Sequence, residues 1–240
     1  LGGTSSVAAV SGVTTFAGLS LTGTVGTYTL TYTSTGLTQT SQSIDLAPGT
    51  ATKLAIKTQA AGLVNRTNFT TQPEIYIQDA SGNTVTSSTA SVVVTIDTGT
   101  LTGTRTVAAV NGVVSFAGLG KTGTIGSKTL DFTSTGLTHI TQTFTLTHGA
   151  ATQLVISTQA SGAQAGIVFG TQPVLQIRDA DNNVVTTGAE STLTARASST
   201  NGTLTGTFDK QAIAGVITFT NLMLSNTTGS YNLSFGLIDT

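Results

Sequence analysis

A chain of 240 residues with 9 Lys+Arg against 10 Asp+Glu, net charge −1 and no cysteine has no basic field for nucleic-acid phosphates and no thiolate for a disulfide, zinc site or nucleophile. Thr is about one residue in five, while Glu, Lys, Arg, Met and Gln are scarce, a usage that selects strand and turn over helix. No apolar run approaches the ~18 residues of a membrane-spanning helix, so no membrane insertion is expected within this segment.

In chain order, the first alternating stretch carries Tyr28, Leu30 and Tyr32 on one face and a ladder of Thr27, Thr29, Thr31 and Thr33 on the other. Ala47-Pro48-Gly49-Thr50 reads as a short linker. Beyond it, Leu54 and Ile56 share a face, as do Ile75 and Ile77, then Val92, Val94 and Ile96. Val107 to Val110, Asn111-Gly112 and Val113 to Leu119 read as a hairpin, because a type I′ turn needs positive φ at both central residues. Leu130 and Phe132 follow on one face of the strand from Ser127 to Ser134. The closing strand holds Ile140, Phe144 and Leu146, with a register break expected between the first two.

These elements recur. Val7 to Leu19 returns as Val107 to Leu119, Ala51 to Ala60 as Ala151 to Ala160, and Thr71 to Ala80 as Thr171 to Ala180, an offset of 100 without gaps. Later the offset is 103, pairing Phe116 with Phe219 and Leu130 with Leu233, and the three extra residues are expected near Ser198 to Asn201. The chain then divides into 1–49, the C-terminal half of a unit; 50–149, a complete unit; and 150–240, a unit lacking its last strand. Seven or eight short strands with frequent turns in a unit of about 100 residues indicate an all-β, two-sheet sandwich of immunoglobulin-like type.

Ile77 to Val85, Gly99 to Thr104, Asn111 to Leu119 and Tyr28 to Tyr32 together resemble the immunoglobulin-like tandem repeats of large bacterial cell-surface proteins, such as invasin- and intimin-like adhesins. The resemblance covers the whole chain and rests on turn glycines and core alternation. The third unit departs from it, with Ala214 for Asn111 and Asn221 for Gly118. It implies an extracellular or cell-surface location and a structural array, as an adhesin stalk, surface layer or filament.

Several motifs invite a chemical reading. Gly118-Leu-Gly120-Lys-Thr-Gly123 fits a dinucleotide fingerprint, but a strand is expected after it where a helix N-terminus would be needed. Asp179, Asp181 and Asn183 space oxygens as a calcium ligand set would. The sister stretch Asp79-Ala-Ser81-Gly82-Asn83 lacks one carboxylate, which favours a tight turn. His139 and His148 correspond to Gln39 and Pro48 and read as solvated loop residues. Five sequons, at Asn65, Asn68, Asn201, Asn226 and Asn232, are candidate glycosylation acceptors in a chain whose Thr content produces several by chance.

No catalytic constellation and no cofactor motif is visible, so the expectation is a non-enzyme. Its partners are neighbouring units of the same protein, with self-assembly into a fibre or layer. The alternative is a glycan- or protein-binding unit of an adhesin, for which the inserted loop is the only candidate. Because Leu1 aligns with Leu101 and Thr240 with Leu137, an internal piece of a longer repetitive protein is expected, with strand exchange between subunits as the variant.

Overall fold

The computed structural model describes residues 1–225 and 228–238. Among them the chain is all-β: every pairing between strands is antiparallel, and the only helical turn is a 3-10 turn at Ala189–Thr192. Among the described residues no helix is long and apolar enough to cross a membrane.

In the second segment, one sheet orders Lys53–Thr58, Glu74–Gln78 and Val113–Ser115, and another orders Ile140–Leu146, Gly126–Thr133, Ser91–Ile96 and Thr106–Ala108. Alternation sets which residues each sheet buries. Leu54, Ile75, Ile77 and Val114 from the first sheet meet Val92, Val94, Leu130, Phe132 and Leu146 from the second in one cluster. Each such side chain contributes about 1.5–3 kcal/mol when withdrawn from water. A short third sheet of Thr67–Asn68, Gly120–Thr122 and Thr100–Thr102 closes one end. Within it, a side chain at Gly120 would meet the Thr67 carbonyl oxygen at 2.4 Å, so the glycine allows three strands to approach.

The third segment repeats this plan around a second cluster that includes Leu175, Ile177, Ala195, Ala197, Ile217 and Phe219. The first segment holds the pair Gly26–Tyr32 and Thr40–Leu46, in the register of its counterpart: Gly26 faces Leu46 as Gly126 faces Leu146. An aromatic contact recurs in all three, with ring centroids 5.6 Å apart for Phe16–Tyr32, 5.6 Å for Phe116–Phe132 and 5.7 Å for Phe219–Phe235.

Three expectations are corrected. Asn111 and Gly112 do take positive φ, 51° and 72°, and Val110 and Val113 exchange both backbone hydrogen bonds. The flanking strands then diverge, however, Thr106–Ala108 joining one sheet and Val113–Ser115 the other, so the turn is a crossover between sheets. The closing strand Ile140–Leu146 has no register break. Gln142 turns inward with Ile140 and Phe144, and its buried amide exchanges hydrogen bonds with the Ala60 N–H at 2.9 Å and carbonyl at 2.7 Å, which satisfies a polar group facing the core. The three-residue insertion lies between Val185 and Thr194, because Val185 still bonds Ile177 as Val85 bonds Ile77, whereas Thr194 pairs with Gln211 as Ser91 pairs with Ala108. The 3-10 turn Ala189–Thr192 lies within this interval, and Ser198 to Asn201 keep the shifted alignment.

Phe116 is 3% exposed at the centre of its cluster. Phe116→Ala is expected to cost about 3–5 kcal/mol of unfolding free energy, whereas Thr129→Ala, on the other face of Gly126–Thr133, changes it little. Chemical denaturation monitored by tyrosine fluorescence measures both, and equal effects would contradict this core assignment.

Candidate functional site: a polar clamp at each segment junction

Asp179 to Asn183 form a tight turn between Val174–Arg178 and the bridge at Val184, closed by Asn182 N–H donating to the Asp179 carbonyl at 3.1 Å. Asn182 takes φ 65°, where its counterpart Gly82 takes 89°, a conformation Asn and Gly tolerate best. The expected turn is there, but its side chains point across to the preceding segment.

Asn183 Nδ2 donates to the Gly123 carbonyl at 3.0 Å, and its Oδ1 accepts from Ile125 N–H at 3.1 Å. The first junction repeats the pair, with Asn83 Nδ2 donating to the Gly23 carbonyl at 2.8 Å and Oδ1 accepting from Val25 N–H at 2.9 Å. A side-chain amide thus pairs with a backbone amide in the way strands pair. The linker joins through Asp79 and Asp179, whose Oδ2 atoms accept from Gly49 N–H at 2.8 Å and Gly149 N–H at 2.9 Å. Each turn therefore ties three elements together: the preceding segment's loop, the linker and its own strand.

At the second junction more is added. Asn65, 2% exposed, donates from Nδ2 to Asp179 at 2.9 Å and Asp181 at 2.8 Å, while its Oδ1 accepts from Gly123 N–H at 3.0 Å. Arg66 grips Asp181 with two parallel bonds of 2.9 and 2.8 Å. His148 bridges the linker to the third segment, its Nε2 meeting Thr187 Oγ1 at 2.9 Å and N–H at 3.2 Å. The inserted turn brings Glu190 to Ala151 N–H at 2.7 Å. His148, Gly149, Thr187 and Glu190 line a shallow groove of about 450 Å³.

The candidate calcium ligands are therefore surrounded by donors. Asp179 Oδ2 accepts from Gly149, Asn65 and Asn183, and Oδ1 from the backbone of Asp181 and Asn183. Among the described residues no three His, Cys, Asp or Glu side chains converge as a metal centre requires. Burial pushes the Asp179 carboxyl up, yet the donors from Gly149, Asn183 and Asn65 outweigh it and hold the group at about 2. Asp79 is likewise held at about 2, chiefly by Asn83 and then by Gly49.

Asn65 was legible only as a sequon, but its amide is engaged in the clamp, so a glycan there would replace the clamp's own bonds. Asn68, Asn201 and Asn232 are exposed, and Asn226 lies outside the described residues. His139 is exposed and meets Asp131 at 2.7 Å, whereas His148 is a junction residue, not a solvated loop residue. Gly118 to Gly123 run into the strand Gly120–Thr122, with no helix behind them. The repeat of Gly49/Gly149 and Asn83/Asn183 at one offset was the available signal for the clamp; nothing in the pattern marked Arg66 as its partner.

No protein-family model and no curated protein matches the chain. Among solved structures, two crystal structures of Parabacteroides merdae beta-glucuronidase, one with glycerol in its active site, are similar over 45% of this chain at 17% and 18% identity, with TM-scores of 0.34 and 0.33. The chain spans 15% and 14% of their lengths, and a likeness of that size carries no argument about fold kinship or activity.

Two outcomes follow for the clamp. Because donors already occupy the Asp179 oxygens, the melting temperature is expected to be the same with excess calcium and with a chelator; a clear calcium-dependent rise would show ligands in place of a turn. Both carboxyls sit below their unfolded value of about 3.9, so their stabilisation is complete above that value and is lost as pH falls through about 2. Melting curves should be flat from neutrality to about pH 5 and fall between about pH 4 and 2, with a shallower fall in D79N/D179N. An unaltered acid slope in that variant would remove these groups from the account.

Proposed function

We propose that the chain is a run of immunoglobulin-like β-sandwich units of about 100 residues, with residues 1–49, 50–149 and 150–240 belonging to successive units. In this reading it is a structural array of an extracellular or cell-surface protein, working by length and fixed geometry and not by catalysis. Its partners are its own neighbours, in an adhesin stalk, surface layer or filament.

The observation that carries the reading is the recurrence of the clamp. The same Asn side chain pairs with the same backbone positions of the preceding segment at both junctions, 2.8–3.1 Å in every case. A linker of a few residues alone restricts the angle between neighbours; hydrogen bonds to backbone on both sides fix it, because backbone positions follow the fold and not the surface sequence. Selection for a set angle serves a rod or lattice. The rival reading, a glycan- or protein-binding unit, depended on the inserted loop as a recognition element. That insertion is spent on the linker, where Glu190 holds Ala151.

Antibodies raised against the recombinant chain should label intact source cells, and electron microscopy of the labelled material should place them along a fibre or layer. Labelling that appears only after permeabilisation would contradict the surface assignment.

A further inference from the structure

The two junctions share a clamp but differ in charge. Lys121 is wholly buried and Lys128 is 7% exposed. Lys121 Nζ donates to the Thr122 carbonyl at 3.2 Å and lies against Gly99, where a Cβ would fall 2.2 Å from it. Lys128 Nζ reaches Thr98 Oγ1 at 3.0 Å and Thr124 Oγ1 at 3.5 Å. Neither ammonium has a carboxylate within ion-pair distance among the described residues, whose ion pairs lie elsewhere. Thr122 and Thr124 flank Gly123, whose N–H donates to Asp181 at 3.2 Å.

The fold does not require these lysines. At the same positions the first segment has Leu21 and Tyr28, and the third has Leu224 and Tyr231. Arg66 is anomalous in the same way. It holds φ 66°, where the third segment has Gly166 at 72°, so an arginine has been kept in a conformation that disfavours any side chain. Asn65 beside it corresponds to Ala165. Three cations thus collect on one end of the second segment, and the turn seated there has a second carboxylate, Asp181, where the turn seated on the first segment has Ser81.

We infer that the junctions are matched by charge: the Arg66, Lys121 and Lys128 end accepts a neighbour whose turn reads Asp-x-Asp, and an end with Leu and Tyr at the two lysine positions accepts one that reads Asp-x-Ser. The clamp supplies the shared geometry, and the second carboxylate supplies the choice. A turn with Ser at that position takes away the carboxylate that pairs with Arg66 and leaves only Asp179 and Asp97 acting on the three cations, and a second carboxylate on a Leu/Tyr end loses water without gaining a cation, so each mismatch carries a penalty. Burial, and then Lys128, hold the Lys121 ammonium below its ordinary value, and Asp97 and Asp181 offset part of that. The order of neighbours in the array is then written in the ends.

The inference rests on the structural reading of the junctions. Its test uses the full chain and the residues that the chain itself places at the sister positions. D181S is made in the wild-type background and in R66G/K121L/K128Y, and cleavage within 147–150 by a broad-specificity protease is timed and mapped by mass spectrometry. D181S is expected to speed cleavage about ten-fold in the wild type and to change it less than about two-fold in the triple background. S81D should not slow cleavage within 47–50. Should the triple variant not fold, R66G alone, at a φ that suits glycine, supports the same comparison. Equal acceleration in both backgrounds, no acceleration in the wild type, or a several-fold slowing by S81D would overturn the inference. A protein found inside cells with this coupling intact would instead overturn only the surface assignment.

Discussion

A carboxylate withdrawn from water must be met by donors, and in this chain that requirement joins the segments. Asp79 and Asp179 are 5% and 1% exposed, and neither has enough N–H groups within its own turn. The deficit is met from the linker glycine, and at the second junction also from Asn65 of the preceding segment. Leaving a buried acceptor unpaired costs about 1–3 kcal/mol, so a swing of one segment away from the next is opposed by several such terms together. The hold of one segment on the next and the stability of the turns between them therefore have one physical origin.

The interiors depend on a different balance. With no disulfide to restrict the unfolded chain, the second and third segments draw their stability from apolar burial, and in both an aromatic contact joins the two sheets, Phe116 with the fully buried Phe132 and Phe219 with the half-buried Phe235. Gln142 is the one polar side chain that the closing strand turns inward in the second segment, and its amide replaces backbone partners that Ala60 has no strand to supply. The polar economy of the core and that of the junction are thus alike: side-chain amides complete backbone hydrogen bonding where strands end.

Much of the fold was legible because strand burial has a period of two. Ile75 and Ile77, Val92 and Val94, and Leu130 and Phe132 were assigned to one face by alternation, and all are fully buried. The same reasoning failed at Ile140 to Phe144, where a register break was expected and the strand runs through without one; the position of Ala60 explains the inward Gln142 between them. It also misplaced the insertion, since Thr- and Ser-rich stretches align equally well at several offsets, while strand register admits one. The clamp was half legible. Asp179, Asp181 and Asn183 were noticed for their oxygens, but oxygens that ligate a cation and oxygens that accept N–H donors have the same spacing in a sequence. What decides between them is the surroundings, here Asn65, Arg66 and Gly149, which lie 30 or more residues away from Asp179.

The central claim is that neighbouring segments are held at one angle. Residual dipolar couplings and amide relaxation, measured on the intact chain for residues 51–146 and 151–235, test it most directly. The account predicts a single alignment tensor and one tumbling time for both in the wild type, and two of each once D179A and N183A are combined. Two independent tensors in the unmodified chain would contradict it.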